Sequence, residues 1–303
     1  MTTELYADGN TGTAAANDRA ARPGSRSHIL YAAEASWASQ DAASQLNWAS
    51  FRELKRTRRA CAGFLEINGR RCFVKRVSEG HFVKGLIARI RGSRAARILR
   101  GAEMLAAAGF AHPRPLLAAE ERTWGAVRTS WVASEALPDA HVLSFFMLGD
   151  GRNFYRRQWL TRLAAREIRR LHDAGFYTLD MQETNLMLEA AGGELRVYFL
   201  DLEDFRAAWR VSWSRRLRNL VHLDRSIGRF ASRSRRLRFL YSYLGSKPPR
   251  TEVRAVVRRL LQEKQRLDRR SGNGLDPAAR QLGHEPIRPM QAATGKLQWR
   301  SRY

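Results

Sequence analysis

The sequence predicts an α+β fold in two lobes, a small amino-terminal lobe rich in antiparallel strands and a helical carboxy-terminal lobe. Apolar strand-like segments, one pair of them joined by Asn68-Gly69, occupy the first half of the chain. A long amphipathic pattern then begins at Phe154, and the chain from Phe205 to Asp268 is mostly helical in pattern. Strands followed by helices are typical of the α+β class.

The amino-terminal lobe is predicted over residues 45–137. Asn-Gly is the dipeptide that two-residue hairpin loops prefer, so Asn68-Gly69 joins two adjacent strands. A helix follows and ends at Gly109. In chain order, the predicted elements are two strands, this helix and two further strands, at Ala60–Ile67, Arg71–Val77, Ser93–Ala108, Pro115–Ala119 and Gly125–Ser134.

The carboxy-terminal lobe is predicted over residues 138–268. Its long helix, Phe154–Ala174, ends at Gly175, and two short strands follow at Leu186–Leu188 and Arg196–Leu200. The apolar side of the helix consists of Trp159, Leu163, Ile168 and Leu171.

The two ends of the chain have a different composition. Residues 1–44 are rich in small and polar residues without sustained periodicity, which predicts a flexible leader. Residues 269–303 are rich in Gly, Pro and polar residues, which predicts a loose tail. No secretory signal or membrane-spanning run is evident. The two cysteines, Cys61 and Cys72, are too few for a disulfide framework, so we expect a cytoplasmic protein.

The chain is strongly basic, with 54 Lys and Arg against 29 Asp and Glu and a net charge of +25. The charge is concentrated in two blocks. Residues 51–100 contain 15 basic and 3 acidic residues, and residues 201–250 contain 13 and 4. Such an excess indicates an anionic partner, and nucleic acid, an anionic membrane face and a phosphate-rich glycolipid all qualify.

Three polar residues in the carboxy-terminal lobe form a spaced pattern. Asp180 and Asn185 lie on a predicted loop, and Asp201 comes sixteen residues after Asn185, at the end of the strand Val197–Leu200. Phosphoryl transfer needs a carboxylate that accepts or orients the proton of the attacking hydroxyl, and hard oxygen ligands for Mg²⁺ on the nucleotide. We assign the catalytic role to Asp180 and the metal to Asn185 and Asp201. The order D-x4-N…D is that of protein-kinase-like folds.

A lysine and a glutamate complete the predicted nucleotide site. Lys75 is one of only six lysines and lies inside an apolar strand, where kinases have the lysine that binds the phosphates of ATP. Glu103, in the first predicted helix, would orient that lysine. Backbone groups near Glu135 and Leu137, at the link between the lobes, would meet the adenine.

The turn before the strand Ala60–Ile67 has no glycine-rich sequence. Lys55 and Arg56 are there instead, and their charges would replace backbone amides around the phosphates. The predicted cofactors are therefore ATP and Mg²⁺.

These motifs resemble the Kdo/WaaP lipopolysaccharide kinase family, also called the InaA-like group, over residues 46–245. The resemblance rests on Leu54–Arg59, Phe73–Arg76, Leu171–Phe176, the Asp180-x4-Asn185 motif and Asp201-Leu202. It implies ATP-dependent phosphorylation of a heptose or Kdo hydroxyl of the lipopolysaccharide inner core. It also implies a location on the cytoplasmic face of the inner membrane and an acidic acyl carrier protein as a partner.

Several positions depart from an ordinary protein kinase. Thr178 stands two residues before Asp180, so the histidine of the H-R-D motif is absent, and Leu202-Glu203 follows Asp201 in place of Phe-Gly. These departures leave a weakened or inactive enzyme open. His172 is predicted to be a packing residue, and Glu203 and Asp204 are predicted to be structural.

The segment from Phe205 to Leu240 contains 11 Arg and a single acidic residue, Asp224. Apolar residues interleave with the arginines, which predicts amphipathic helices whose arginines face an anionic membrane. Two other readings stay open. The chain is an atypical protein or small-molecule kinase, or it is a catalytically weak pseudokinase that binds anionic partners, with nucleic acid in third place.

Overall fold

The computed structural model describes residues 25–34, 51–80, 82–148, 154–191, 194–228, 231–245 and 248–270. The strands are β1 (Ser25–Ala32), β2 (Arg52–Arg56), β3 (Ala60–Ile67), β4 (Arg70–Ser78), β5 (Pro115–Thr123), β6 (Ala126–Glu135), β7 (His141–Val142), β8 (Phe176–Thr178), β9 (Leu186–Ala191), β10 (Glu194–Phe199) and β11 (Phe205–Ala207). The helices are α1 (Phe82–Arg91), α2 (Arg94–Ala107), α3 (Leu143–Leu148), α4 (Phe154–Asp173), α5 (Trp213–Ile227), α6 (Arg233–Leu244) and α7 (Arg250–Arg270).

The amino-terminal lobe contains an antiparallel sheet of six strands in the order β1-β5-β6-β4-β3-β2. β3 and β4 are joined by Asn68 and Gly69, whose φ angles are 51° and 71°. A turn with both central residues at positive φ matches the twist of the two strands. The hairpin predicted at this dipeptide is therefore confirmed.

The two faces of this sheet pack against different parts of the molecule. Val74 and Trp131 belong to a core on one face. Lys75 points to the other face, because side chains alternate along a strand. There it is in register with Ala62 on β3 and Val132 on β6, and Val132 belongs to the main core shared with the carboxy-terminal lobe.

β1 corrects one part of the sequence prediction. Residues 1–44 are predicted to be a flexible leader, whereas Ser25–Ala32 forms an edge strand paired along β5. Its partner lies about 90 residues away in sequence, so no local signal announces the pairing. The rest of the predicted leader, and the predicted tail from residue 271 onward, lie outside the described residues.

α2 packs its backbone against the carboxy-terminal lobe. The helix begins after Ser93, whose hydroxyl accepts a hydrogen bond from the Ala96 amide. Its residue Gly101 lies so close to Leu202 that a Cβ there would be 2.1 Å from the Leu202 carbonyl oxygen. The absence of a side chain at Gly101 therefore brings α2 onto the turn that follows β10.

The carboxy-terminal lobe is helical, as predicted. α4 contributes Leu160, Ile168 and Leu171 to the main core, whereas Trp159 is 48% exposed and does not belong to the apolar side predicted for it. Within the described ranges, no helix is both long and apolar enough to cross a membrane.

Two small antiparallel sheets are embedded in this helical lobe. β9 and β10 form the predicted hairpin, with β7 added at its edge, and β8 pairs with β11. The predicted α+β arrangement, with a small antiparallel β-rich lobe followed by a helical lobe, is confirmed.

Candidate active site

Lys75 is at the centre of an ion cluster between the two lobes. Its Nζ donates to Asp201 Oδ1 at 2.5 Å and to Glu203 Oε1 at 3.0 Å. Burial alone would lower the Lys75 pKa, but the two carboxylates outweigh burial and raise the pKa above its ordinary value. The ammonium is therefore charged at neutral pH and is held at the mouth of the carboxy-terminal lobe.

Glu103 does not join this cluster. It is exposed on α2, whereas Ala95, Ile98 and Leu105 on the same helix are buried. Lys75 pairs instead with Asp201 and Glu203, so the predicted orienting role of Glu103 is wrong for this structure. The reason is tertiary: the side of α2 that faces the site is the side of Gly101, not that of Glu103.

Glu203 takes the place predicted for Glu103. It is 7% exposed, and its Oε2 lies 3.6 Å from both Arg94 Nε and Arg97 Nη2 at the start of α2. Glu203 therefore links Lys75 on the sheet to two arginines on α2. Glu203 is predicted from sequence to be structural, and the sequence does not predict its contact with Lys75.

The backbone brings Asn185 and Asp201 side by side. Leu186 and Phe199 are paired at the end of the β9–β10 hairpin, and the Leu200 amide donates to the Asn185 carbonyl oxygen at 2.9 Å. Asp201 follows in the left-handed region, with φ of 53°. This conformation is uncommon outside glycine, and Asp and Asn tolerate it better than most residues.

Asn185 and Asp201 fit a magnesium site by the chemistry of their oxygens. Asn185 uses its amide nitrogen to donate to the Asp180 carbonyl oxygen at 3.1 Å, so its Oδ1 is the atom that can bind a cation. Asp201 adds a carboxylate, and Mg²⁺ prefers such oxygens together with phosphate and water. Among the described residues, no three His, Cys, Asp or Glu side chains form a metal site without such help.

Asp180 lies on the loop between β8 and β9. Both of its carboxylate oxygens accept from Gln182 Nε2, at 2.7 and 2.9 Å, and His222 Nδ1 lies 3.7 Å from Oδ1. The nearby His222 imidazole lowers the Asp180 pKa most, burial opposes it, and the hydrogen bonds from Gln182 lower it further. Asp180 is therefore ionised at neutral pH.

A buried network fixes the strand that leads to Asp180. His172 is fully buried, and its Nε2 donates to Asn219 Oδ1 at 3.1 Å while Nδ1 accepts from the Tyr243 hydroxyl at 2.7 Å. Asn219 in turn bonds both the amide and the carbonyl of Thr178. Burial lowers the His172 pKa to about 4, so the imidazole is neutral. Its predicted packing role is thus confirmed by burial and hydrogen bonding.

Asp204 adds a further carboxylate close to the site. Burial, followed by the neighbouring Asp201 and Glu203, raises the Asp204 pKa. Its backbone carbonyl accepts from the Leu179 amide at 3.1 Å, which ties β11 to the loop of Asp180. The two carboxylates that contact Lys75 in the described part of the chain, Asp201 and Glu203, both belong to the carboxy-terminal lobe.

Comparison with known proteins identifies the family. The model of the lipopolysaccharide kinase (Kdo/WaaP) family matches residues 40–243. The chain belongs to the Kdo/WaaP lipopolysaccharide kinase family. No curated protein sequence matches it significantly. A solved structure described as WaaP in complex with acyl carrier protein is similar, with a TM-score of 0.53 and 19% identity over 72% of this chain and 90% of that chain.

The family match and the structural likeness confirm the kinase-like fold predicted from the motifs. Membership in the Kdo/WaaP family implies a kinase that uses ATP and acts on lipopolysaccharide core. In this kinase fold, Lys75 and Asp201 face each other across the lobes, and the Asp180–Asn185 loop lies beside Asp201.

The two cations predicted at the phosphate loop of this Kdo/WaaP kinase lie on opposite faces of the sheet. Lys55 is paired with Ala62, which is paired with Lys75, so Lys55 and Lys75 share a face. Arg56 lies on the other face, where it forms an ion pair with Glu53 that raises the Arg56 pKa. The structure therefore favours Lys55 and disfavours Arg56 as a phosphate ligand.

The predicted adenine-binding segment lies between the lobes. β6 ends at Glu135, whose amide donates to the Arg114 carbonyl oxygen, and the Leu137 carbonyl accepts from the Ala140 amide. The carboxylate of Glu135 also accepts from the Arg114 amide. The contact of this linker with adenine stays a prediction.

Sequence reasoning missed His222, Gln182 and Asn219, which orient Asp180 or the strand before it. Gln182 was visible, since it lies two residues from Asp180 inside the motif. His222 and Asn219 come from α5, about 40 residues later, and they reach the loop only because α5 packs beneath it. A basic, amphipathic helix gives no local sign of such a contact.

Proposed function

We propose that this chain transfers the γ-phosphate of ATP to a sugar hydroxyl, of a heptose or of Kdo, in the lipopolysaccharide inner core. The observation that carries the proposal is the meeting of Lys75 and Asp201 beside the loop of Asp180 and Asn185. Phosphoryl transfer requires a lysine that binds the phosphates, two side chains that bind the metal ion, and an ionised carboxylate.

Asp180 is the residue that would receive the proton of the acceptor. The hydroxyl oxygen forms a bond to the γ-phosphorus while the bond from that phosphorus to the bridging oxygen breaks, and ADP leaves with the electron pair. The hydroxyl proton passes to Asp180. The lowered pKa of Asp180 suits a carboxylate that orients the hydroxyl first and accepts its proton late.

The remaining residues would hold the nucleotide. Lys75 would donate to the α- and β-phosphates, and Asn185 and Asp201 would hold Mg²⁺, which neutralises charge on the phosphate oxygens. The present ion pair of Lys75 with Asp201 holds the Lys75 ammonium at the site before nucleotide binds. Glu203 would keep Lys75 in position once Asp201 binds the metal.

The test is phosphate incorporation into core lipopolysaccharide isolated from a strain that lacks the gene. We expect wild-type protein and ATP to phosphorylate it, and Asp180→Asn to be slower by roughly 100-fold or more. In the same strain, the wild-type gene should restore core phosphate and the Asp180→Asn gene should not. Normal core phosphate in the deletion strain would contradict the lipopolysaccharide assignment.

The alternatives have distinct outcomes in the same experiment. An atypical protein or small-molecule kinase would hydrolyse or transfer the phosphate of ATP while ignoring the core sugar. A pseudokinase would give equal, background rates for wild type and Asp180→Asn. Nucleic acid as the principal partner would show binding with a steep dependence on salt.

We also propose an acidic acyl carrier protein as a partner. An open, mainly apolar cavity of about 490 Å³, lined mostly by α5, α6 and α7 and including Leu220, Leu240 and Val257, suits an acyl chain. A neighbouring groove of about 940 Å³ between α4 and α6 has five arginines, Arg162, Arg166, Arg169, Arg170 and Arg238. The similar WaaP structure, which is described as a complex with acyl carrier protein, supports the same choice.

Titration of the protein with an acylated carrier protein tests this partner. Arg162→Glu/Arg166→Glu should weaken binding by roughly tenfold or more, because both side chains are exposed beside the groove. Arg89→Glu/Arg91→Glu, on the other lobe, is the control for the added negative charge. Equal weakening by both double variants would contradict a specific site.

The proposed location is the cytoplasmic face of the inner membrane, where ATP and the growing core meet. The membrane contact predicted for the Arg-rich helices α5 and α6 is supported by their charge alone. Several of their arginines are used inside the protein: Arg216 pairs with Asp173, Arg225 with Asp268 and Arg236 with Asp224.

A further inference from the structure

α1 is an amphipathic helix with its bulky apolar residues on the outside. Its small residues Gly85 and Ala88 are buried, and a Cβ at Gly85 would lie 2.3 Å from the Val127 carbonyl oxygen on β6. The exposed apolar residues are Phe82 (49%), Val83 (68%), Leu86 (42%), Ile87 (46%) and Ile90 (80%). The helix therefore packs by its smallest residues and leaves its largest apolar ones in water.

The exposed residues form one continuous stripe. At about 100° per residue, the five cover an arc of roughly 140° whose centre is opposite Gly85 and Ala88. Lys84 and Arg91 border one edge of the stripe and Arg89 the other, and α1 contains no acidic residue. An apolar stripe with cations at both edges is the pattern of helices that lie in a membrane interface.

Trp124 is a further exposed apolar residue, on a turn that α1 contacts. It is 81% exposed at the tip of the β5–β6 hairpin, with φ of 52°. Arg89 on α1 contacts the same turn, with Nη1 3.4 Å from the Gly125 carbonyl oxygen. A bulky residue in the left-handed region and in water is costly on both counts. Tryptophan is favoured where one part of a side chain is apolar and another is wet.

We propose that α1 and Trp124, together the α1 surface, dock on an anionic lipid membrane. The apolar stripe would enter the boundary between headgroups and acyl chains, and Lys84, Arg89 and Arg91 would contact anionic headgroups. Charge favours this occupant. In a symmetric dimer the same three cations would meet across the interface, and like charges without counter-charges oppose association.

This contact goes beyond the proposed function and holds whatever acceptor is phosphorylated. It moves the membrane contact from the paired arginines of α5 and α6 to the amino-terminal lobe. Because α1 and β4 both pack on β6, the docked helix would hold the sheet that contains Lys75 close to the lipid surface.

Vesicle co-sedimentation of the full chain tests the proposal, with no lipopolysaccharide or ATP present. Vesicles of phosphatidylethanolamine with phosphatidylglycerol should bind the wild type, and vesicles of phosphatidylcholine should bind it much less. Val83→Gln/Ile90→Gln should lower binding to the anionic vesicles by roughly tenfold or more. The matched control is Leu54→Gln/Leu261→Gln, whose side chains are 57% and 56% exposed on other elements.

Trp124 gives a second, spectroscopic readout of the same contact. Anionic vesicles should shift the tryptophan emission of the wild type to shorter wavelength, and Trp124→Phe should remove most of that shift. A helix that stays in water would give the same shift for both proteins.

Four results would overturn the proposal. The first is that the wild type does not bind anionic vesicles. The second is that Val83→Gln/Ile90→Gln and its control lose vesicle binding equally. The third is that Arg233→Gln/Arg238→Gln lowers vesicle binding and the α1 variant does not. The fourth is a wild-type dimer that Val83→Gln/Ile90→Gln converts to monomer in light scattering, which would make a second copy the occupant. If Val83→Gln/Ile90→Gln loses vesicle binding but still phosphorylates the core in detergent, the membrane contact is independent of the phosphotransfer reaction.

Discussion

The two basic blocks of the chain carry charge of the same sign and use it differently. In block 51–100, Lys75 is held by carboxylates of the other lobe, and the cations of α1 border an apolar stripe. In block 201–250, arginines such as Arg216 hold helices together. The sequence shows an excess of basic residues in both blocks, 15 against 3 and 13 against 4. A count of charge therefore locates basic residues but does not distinguish cations that bind ligands from cations that stabilise the fold.

The sharpest test of this difference compares Lys75→Met with Arg216→Met. Loss of the Lys75 charge should slow phosphotransfer by roughly 100- to 1,000-fold, as for other removed electrostatic stabilisers. Arg216 donates to Asp173 and to the His172 and Val211 carbonyls, so its loss should cost about 2 kcal/mol of stability with little change in rate. Urea unfolding and steady-state kinetics on both proteins measure the two effects. Similar rates for the two variants would erase the distinction.

The buried network of His172 in the carboxy-terminal lobe predicts a dependence on pH. The His172 pKa falls to about 4 from an ordinary value of 6.5, so the unfolded chain binds the extra proton more readily between these values. Stability should be complete above pH 6.5 and fall by up to about 3 kcal/mol toward pH 4.

Urea unfolding at pH 7, 5.5 and 4.5 checks this dependence. His172→Gln, which does not titrate, should have a flatter profile over that window. His112→Gln, a half-buried histidine outside the network, is the control and should follow the wild type. A wild-type profile as flat as that of His172→Gln would show that the network does not resist protonation.

Glu203 and Glu103 offer a comparison within the acidic side of the site. Glu203→Gln should lower kcat/KM by about tenfold, or 1.4 kcal/mol, because Lys75 loses one of its two carboxylates. Glu103→Gln, on the exposed side of α2, should change kcat/KM less than twofold. A higher kcat/KM for Glu203→Asp than for Glu203→Gln would support a role of the carboxylate in positioning Lys75 over a role in packing. The reverse ranking of the two glutamates would restore the pairing predicted from sequence.

The smallest expected effects concern β2. Arg56→Gln removes an exposed ion pair with Glu53 and should cost at most about 0.5 kcal/mol of stability, with no change in the KM for ATP. Lys55→Gln should raise that KM by roughly threefold, because Lys55 lies on the face of Lys75. Equal KM values for both variants would mean that neither residue contacts the nucleotide.

The sequence predicted the parts of the site that depend on local order along the chain. Asn68-Gly69 fixed a hairpin by its own backbone preferences, and Asp180, Asn185 and Asp201 could be read from their spacing. The predicted role of Glu103 was wrong because α2 approaches the Leu202 turn with the side that contains Gly101, where a side chain is missing. That contact joins segments about 100 residues apart, and no spacing rule contains it.

Two elements were missed for different reasons. β1 needs a partner strand far along the chain, and a strand that is stable only when paired has a weak local signal. α1 has a helical pattern, but its apolar residues face outward. A search for residues that face the core therefore does not identify it. The prediction of where membrane contact occurs followed the larger number of arginines, although arginines are also common internal partners.

The backbone at Asp201 makes this position selective in two independent ways. Its φ of 53° disfavours most side chains on conformational grounds, and the ion pair with Lys75 requires a carboxylate on chemical grounds. Glycine satisfies only the first condition and glutamate only the second. In a library of all twenty residues at this position, folding and catalysis would therefore be separable: glycine and asparagine should yield folded protein, and aspartate alone should yield an active one.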